Sequence, residues 1–243
     1  MSLLQRLRPA LGPLVVGLLL GALSHPEVAG AIAGFLGAPD RRPLSAARLV
    51  ELGSHHLVLA ASGLAIVGGL GVGLGILATR RGAGGLRAGI DTAAALAQAV
   101  PPVVVVALAL PILGFGGPPT LLALVAYGIM PTLRGTVGAI QAVSPEAREA
   151  GIAIGLTPRQ VLTQVELPLA GAGILDTLRV ALVLSIATAA VGALAGASTL
   201  GTPIVAGLQN QNLVPMLQGA GATAALAFLC DAAMLAAAGC LRR

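Results

Sequence analysis

Apolar positions in this chain come in long unbroken runs rather than in the short alternation of a half-buried strand. Runs from Leu57 to Thr79, Gly89 to Leu113, Thr120 to Ile140, Gly173 to Ala197 and Leu213 to Leu235 or beyond approach the roughly 20 residues that a helix needs to cross the hydrocarbon core of a bilayer. None has the roughly ten-residue alternating segments of an outer-membrane strand. A sixth run follows a basic start in MSLLQRLRPALGPLVVGLLLGALSHPE. It fits a signal peptide, with Gly21-Ala22-Leu23-Ser24 as a conceivable cleavage region, or a first span; a chain that keeps Met1 favours an uncleaved span. The pattern predicts an all-α, polytopic bundle of about six transmembrane helices.

Residues between and within the runs refine this picture. Pro26 to Gly53, with Asp40-Arg41-Arg42-Pro43, reads as a connection that includes a short surface helix, so 1–53 form a first span plus connection and 54–240 the main transmembrane unit. Gly73-Leu74-Gly75-Ile76-Leu77-Ala78 nominally fits a dinucleotide-binding loop. Its place inside an apolar run makes close helix packing the stronger reading, with Gly71 and Gly75 at GxxxG spacing. In the third run, Gln98, Pro101 and Pro102 interrupt the apolar pattern. Proline frees carbonyls and kinks a helix, which is tolerated where neighbours or a water-lined route satisfy them; these three residues are candidates for lining a pathway, beside an equal reading as a packing kink. The fourth run holds Tyr127, Pro131 and Arg134. In the fifth, Ser185 and Thr188 either bond back to their own helix or face the same route, and Asp176 and Arg179 are spaced to meet on one face. Ser198 to Asn212 reads as a polar connection, and Asp231, near the end of the last span, either reaches the membrane interface, the favoured reading, or pairs inside the bundle.

Composition agrees and removes several functions. The 243 residues are 56% hydrophobic and 9% charged, with a mean hydropathy of +0.95, whereas soluble domains carry about 25% charged residues. The net charge of +5 comes from fourteen basic side chains, all arginine. They flank the apolar runs instead of forming a basic face, which argues against nucleic acid as a partner. Without lysine there is no GxxxxGK[ST] phosphate loop and no Schiff-base chemistry. Cys230 and Cys240 lie about 15 Å apart along one helix and do not pair. His25, His55 and His56 have no ligand spacing to either cysteine. No grouping of base, nucleophile and metal ligand points to catalysis, so no catalytic or metal site is expected.

The densest charge in the chain lies between two spans, in SPEAREAGIAIGLTPRQVLTQVELPLA from Ser144 to Ala170. With a cytoplasmic N-terminus, six spans put Arg6, Arg8, Arg80, Arg81, Arg87, Arg134, Arg148, Arg159, Arg179, Arg242 and Arg243 near the cytoplasm and only Arg41, Arg42 and Arg48 outside. That bias follows the positive-inside rule; it makes both termini and the loop 143–170 cytoplasmic. Locally the loop encodes two helices. Ser144 is a good N-cap, Pro145 suits the first position and Glu146 the positive end of the dipole. Gly155 is placed to end that helix in a left-handed turn. Thr157 to Gln160 is a capping box, and Pro168 is expected to close the second helix before the next span. The alternative for such a loop is a pair of amphipathic helices lying on the membrane surface.

The spacing resembles the cytoplasmic signature of binding-protein-dependent ABC importer permeases, E-A-A-x3-G-x9-I-x-L-P. The matching residues are Glu149, Ala150, Gly151 in place of the second alanine, Gly155, Val165 in place of isoleucine, Leu167 and Pro168. Within that family the chain is similar over about Ser54 to Ala233 to permeases for glycine betaine, carnitine and choline, through Leu74 to Leu77, Gln98 to Pro101, Leu110 to Gly114 and Val165 to Ala170. The resemblance implies a type I ABC importer core like the methionine permease, in a bacterial inner membrane. It implies two permease chains, identical or sister, forming the pathway. Two ATPase subunits would carry ATP and Mg, and an extracytoplasmic binding protein would deliver the solute; this chain would hold no cofactor of its own. It also implies that the helix around Glu146 to Ile154 is the coupling helix. Ala147, Ala150 and Gly151 would let it lie close to the ATPase, with Arg148 and Glu149 making directional contacts at the rim.

The cargo is less sharply written. Quaternary ammonium groups are commonly held by aromatic cages, and this chain offers only Tyr127, Phe35, Phe115 and Phe228. Selectivity is therefore expected in the binding protein, with a low-affinity route here past Gln98, Pro101, Ser185 and Thr188. Two alternatives stay open: an amino acid or other small polar solute as cargo, and an ion-coupled carrier that works without ATP, although no internal repeat of the carrier kind is visible.

Overall fold

The computed structural model describes residues 3–37, 42–80, 89–90, 92–93 and 99–241. Among these every regular element is helical: α1 (Leu3–Leu23), α2 (Pro26–Phe35), α3 (Ala46–Ala78), α4 (Pro102–Leu113), α5 (Gly117–Gln141), α6 (Pro145–Ala153), α7 (Pro158–Ala195), α8 (Gly201–Gln209) and α9 (Leu213–Leu241). Four of them, α3, α5, α7 and α9, are long and apolar enough to cross a membrane; α1 and α2 make a fifth as a pair bent by 75°. Of the third predicted span, Pro102–Leu113 forms α4, twelve residues long; 91 and 94–98, Gln98 among them, lie outside the described residues.

Three expectations are corrected. The second span begins at Ala46 rather than Leu57, because the Ser45 hydroxyl caps the helix by accepting from Arg48 N–H and Arg48 pairs with Glu51 at 2.7 Å. Ser198 to Asn212 is not only a connection: it contains α8, which packs against α9 as the short arm of a hairpin. Pro168 closes nothing. Helix α7 runs through it, because Val161–Glu166 forms a π turn in which Leu167 N–H bonds to Leu162 O. The shift to i→i−5 bonding changes the register just before the proline, so its missing N–H falls where a new α segment starts.

Small residues set how the spans meet. One stripe of α3, including Gly63, Gly71 and Gly75, is buried. A Cβ on Gly71 would stand 2.8 Å from Thr132 Cβ, and one on Gly75 2.7 Å from Thr136 Cβ. These partners advance together along both helices, so α3 and α5 run parallel at near backbone contact, as the GxxxG spacing predicts. The partners of α5 and α7 advance in opposite senses, Gly173 against Ala139 and Gly192 against Thr120, and so do those of α1 and α9, Gly17 against Leu229 and Gly21 against Ala225.

Buried polar groups then pin the end of the bundle opposite the loop 143–157. His56 is fully buried; Leu200 N–H donates to its Nδ1 at 3.2 Å, so Nε2 carries the proton and donates to Ile186 O at 2.9 Å. Gln218 accepts from Leu44 N–H at 2.9 Å and donates to Leu44 O at 3.0 Å, tying the segment before α3 to α9. The paired prolines are handled in the same way. Pro101 caps α4, and the Val100 carbonyl accepts from Tyr127 Oη–H at 2.6 Å.

The glycine stripe generates a paired test. Gly75→Val should lower the thermal midpoint of the detergent-solubilised protein, at a cost of about 1–3 kcal/mol for overpacking. Gly73→Val, where an added Cβ meets nothing within 4 Å, should leave the midpoint where it was.

Candidate functional site

The loop between α5 and α7 is built from its caps. Ser144 Oγ accepts from Ala147 N–H at 3.2 Å and Pro145 takes the first helical position. At the other end Gly155 has φ +88°. Leu156 N–H reaches back to Gly151 O at 3.1 Å and Gly155 N–H to Ile152 O at 2.9 Å, the bond pair of a Schellman stop. Thr157 and Gln160 form the predicted capping box, with Thr157 N–H donating to Gln160 Oε1 at 2.9 Å.

These caps fix which face of α6 looks where. Ala147, Arg148 and Gly151 turn inward, whereas Glu146, Glu149, Ala150 and Gly155 are exposed. Ala147 and Leu167 pack on a small apolar floor with buried Ile140, Val143 and Ala170; Pro168 is exposed on α7. An added Cβ on Gly151 would come within 3.3 Å of Val165 Cγ2, so the glycine that replaces the family's alanine seats α6 closely on α7.

Arg148 does not reach the outer rim. Its Nε donates to Glu166 Oε1 at 2.8 Å and its Nη2 to Ile140 O at 2.5 Å. The other oxygen of the same carboxylate, Oε2, accepts from Arg80 Nη2 at 2.8 Å. Arg80, in turn, bonds Thr79 Oγ1 and Ile76 O at the end of α3. One carboxylate, 9% exposed between two guanidiniums, therefore fastens α3, α6 and α7 together, and Arg148 adds the end of α5. Charge-assisted bonds of this kind are about twice as strong as neutral ones, and both arginines also sit favourably against the carbonyl ends of α3 and α5.

Sequence reasoning missed Glu166 and Arg80 as site residues, since they meet across 86 positions. It also passed over Ile152 and Ile154, which stand 57% and 79% exposed beside the capped helix. The run Ile152-Ala153-Ile154 was the available signal. The remaining candidates are not gathered with the loop. Ser185 and Thr188 are buried within the chain's own core, and Pro101 and Pro102 start α4. Asp231 is not free at an interface: it pairs with Arg179, whose Nη2 lies 3.4 Å from Oδ2, while Asp176 is more distant at 3.9 Å. Among the described residues no group of three His, Cys, Asp or Glu side chains could hold a metal.

The geometry is that of a polytopic helical bundle with a capped, ion-locked loop between two of its spans. Residues 71–238 match the family described as binding-protein-dependent transport system inner membrane component, and the chain belongs to that family. It is 33% identical over 183 residues to the osmoprotectant import permease protein OsmY of Salmonella typhimurium, covering 75% of this chain and 78% of that protein. It is also 33% identical over 181 residues to the glycine betaine/carnitine/choline transport system permease protein OpuCD of Bacillus subtilis, covering 74% and 78%. The fold matches that of the MetNI methionine ABC transporter in an inward-facing conformation, with a TM-score of 0.73 and 20% identity over 82% of this chain and 98% of that one. The protein is a multi-pass inner-membrane permease subunit of an ABC importer.

The hub yields a direct test. Glu166→Ala leaves two guanidiniums facing each other without a counter-charge. It should lower the thermal midpoint, at a free-energy cost below the roughly 3–5 kcal/mol of a fully buried pair, because both arginines are part-exposed. Glu166→Asp, which keeps the charge on a shorter arm, should fall between wild type and alanine in the same melt.

Proposed function

We propose that this chain conducts a quaternary-amine osmoprotectant, such as glycine betaine, choline or carnitine, across the membrane, and that the exposed face of α6 is where an ATPase subunit docks. The cargo reading is supported by relatives named for these solutes at 33% identity over about three quarters of the chain. The docking reading rests on one observation above the others. Ile152 and Ile154 stand out beside Glu146, Glu149 and Ala150 on a helix whose opposite face is locked to the bundle.

In this reading the loop and both termini are cytoplasmic, in line with the arginine bias. The partner ATPase binds ATP and Mg and performs the hydrolysis; this chain does neither. A pathway needs two permease copies, and an extracytoplasmic binding protein delivers the solute. Closure of the ATPase around ATP moves α6. Because Arg148, Glu166 and Arg80 leave α6 no independent hinge, α3, α5 and α7 move with it as a body, the kind of rigid rotation that alternates access. The π turn in α7 lets that body extend from the loop into the membrane without a break at Pro168.

Gly155→Val would put a β-branched residue at φ +88°, which strains the stop of α6. Glu149→Lys and Ile154→Asp alter its outer face. All three variants should insert normally, lose co-purification of the ATPase and lose most uptake in proteoliposomes supplied with the binding protein. Normal uptake by any of them would contradict the docking face.

A further inference from the structure

We infer that the cavity between α7 and α9 is a low-affinity station for the quaternary ammonium group of the cargo; this rests on the cargo reading above. The cavity has a volume of about 340 Å³ and is lined by Arg179, Val183, Leu184, Ala227, Phe228 and Asp231, among others. That volume lies within the usual range for small-molecule sites. Asp231 is about 15 Å along the axis from the end of α9 at Leu241, inside the span. Helix α9 gives Leu229 and Ala225 to α1 and turns Phe228 and Asp231 to another side.

Two features make this a place for a cation of low charge density. The first is charge. Arg179 is bonded through Nε and Nη2 to Asp231, the one carboxylate in the lining, and the surplus negative charge of the cluster sits on half-exposed Asp176, outside the lining and 3.9 Å from Nη1. A charged cluster at this depth does not face acyl chains; such groups line water-filled or protein-covered space. The second is the wall. Apart from the ion pair it is aliphatic with a half-exposed phenyl ring at Phe228. A small, strongly hydrated cation gains little from such a wall, whereas a trimethylammonium group meets it with methyls and is attracted by the ring face. Asp231 then faces the ammonium, and the Arg179 guanidinium is in reach of the carboxylate that glycine betaine and carnitine carry. Choline uses the first contact alone. One ring and one carboxylate make a weak site, which suits a station that must release its solute.

The test uses the assembled permease and ATPase complex, choline and glycine betaine as probes, and two variants. Phe228→Leu removes the ring and leaves the ion pair; Arg179→Asp combined with Asp231→Arg keeps an ion pair and moves its positive end beside the ring. Saturation-transfer NMR without binding protein should show transfer to the N-methyl protons of both probes in the wild-type complex. Either variant should reduce it at least fivefold, with uptake in proteoliposomes lowered about tenfold and co-elution with the ATPase retained. Wild-type transfer and uptake in Phe228→Leu, or in the double exchange, would overturn the station. Phe228→Leu decides the question by itself if the exchange disturbs assembly. Failure of the wild-type complex to import either quaternary amine would overturn the cargo reading and the station together; normal wild-type import with indifferent variants overturns the station alone.

Discussion

A single carboxylate holds the working end of this permease together. Glu166 is almost fully buried, and burying an unpaired carboxylate is costly, so its position is set by the two guanidiniums that reach it. Arg80 comes from the end of α3 and Arg148 from the loop helix. Remove either arginine and the remaining pair still ties two elements. Remove the carboxylate and α6 keeps only its caps, the Arg148 bond to Ile140 O and the apolar floor around Val143 and Ala170. The contrast with the outer face is informative. Inward, α6 is fixed by ions, a close glycine seat and an apolar floor; outward, it offers two isoleucines and two glutamates to whatever docks there.

In the proposed coupling, force on the loop needs a stiff bundle to act on. Glycine and threonine rather than large aliphatic residues supply it, because within a membrane helices gain little from hiding apolar surface and associate by close packing. Gly71 and Gly75 lie against Thr132 and Thr136, Gly173 against Ala139, and Gly201 directly against the Ala190 carbonyl. His56 and Gln218 do the corresponding work at the far end, where α3, α7, α8 and α9 meet. The loop end and the far end are thus joined through spans that are in backbone contact.

What was legible in the sequence is what neighbours in sequence determine. The Ser144 cap, the Gly155 stop, the capping box and the GxxxG contact depend on spacings of a few residues, and the structure carries each of them; of the six apolar runs, four stand as membrane-length helices among the described residues. What was not legible depends on partners far away. Glu166 reads as one residue of the run Val165 to Ala170 until Arg80 is brought to it, and Asp231 reads as a headgroup contact until Arg179 faces it across 52 positions. Pro168 misled because the rule that proline ends a helix assumes regular i→i−4 bonding, and the π turn before it removes that assumption. Helix α8 was missed for another reason: nine residues with a proline near the start carry too weak a period to stand out from a polar connection. Ser185 and Thr188, whose polarity fits a bond to their own helix as well as a route, are buried within this chain.

If the Glu166 hub makes the loop and the spans one body, distances across it do not change when the ATPase closes. The most direct measurement places spin labels at Ala153 on α6 and Leu70 on α3, in a chain with Cys230 and Cys240 replaced by serine. Double electron–electron resonance on the assembled complex then compares nucleotide-free and ATP-trapped states. An unchanged distance between these labels within one chain, together with a changed distance between Ala153 labels on the two permease copies, is the expected result. A shift of Ala153 relative to Leu70 on trapping ATP would mean that the loop swings on its own hinge, and would contradict a hub that carries the motion into the membrane.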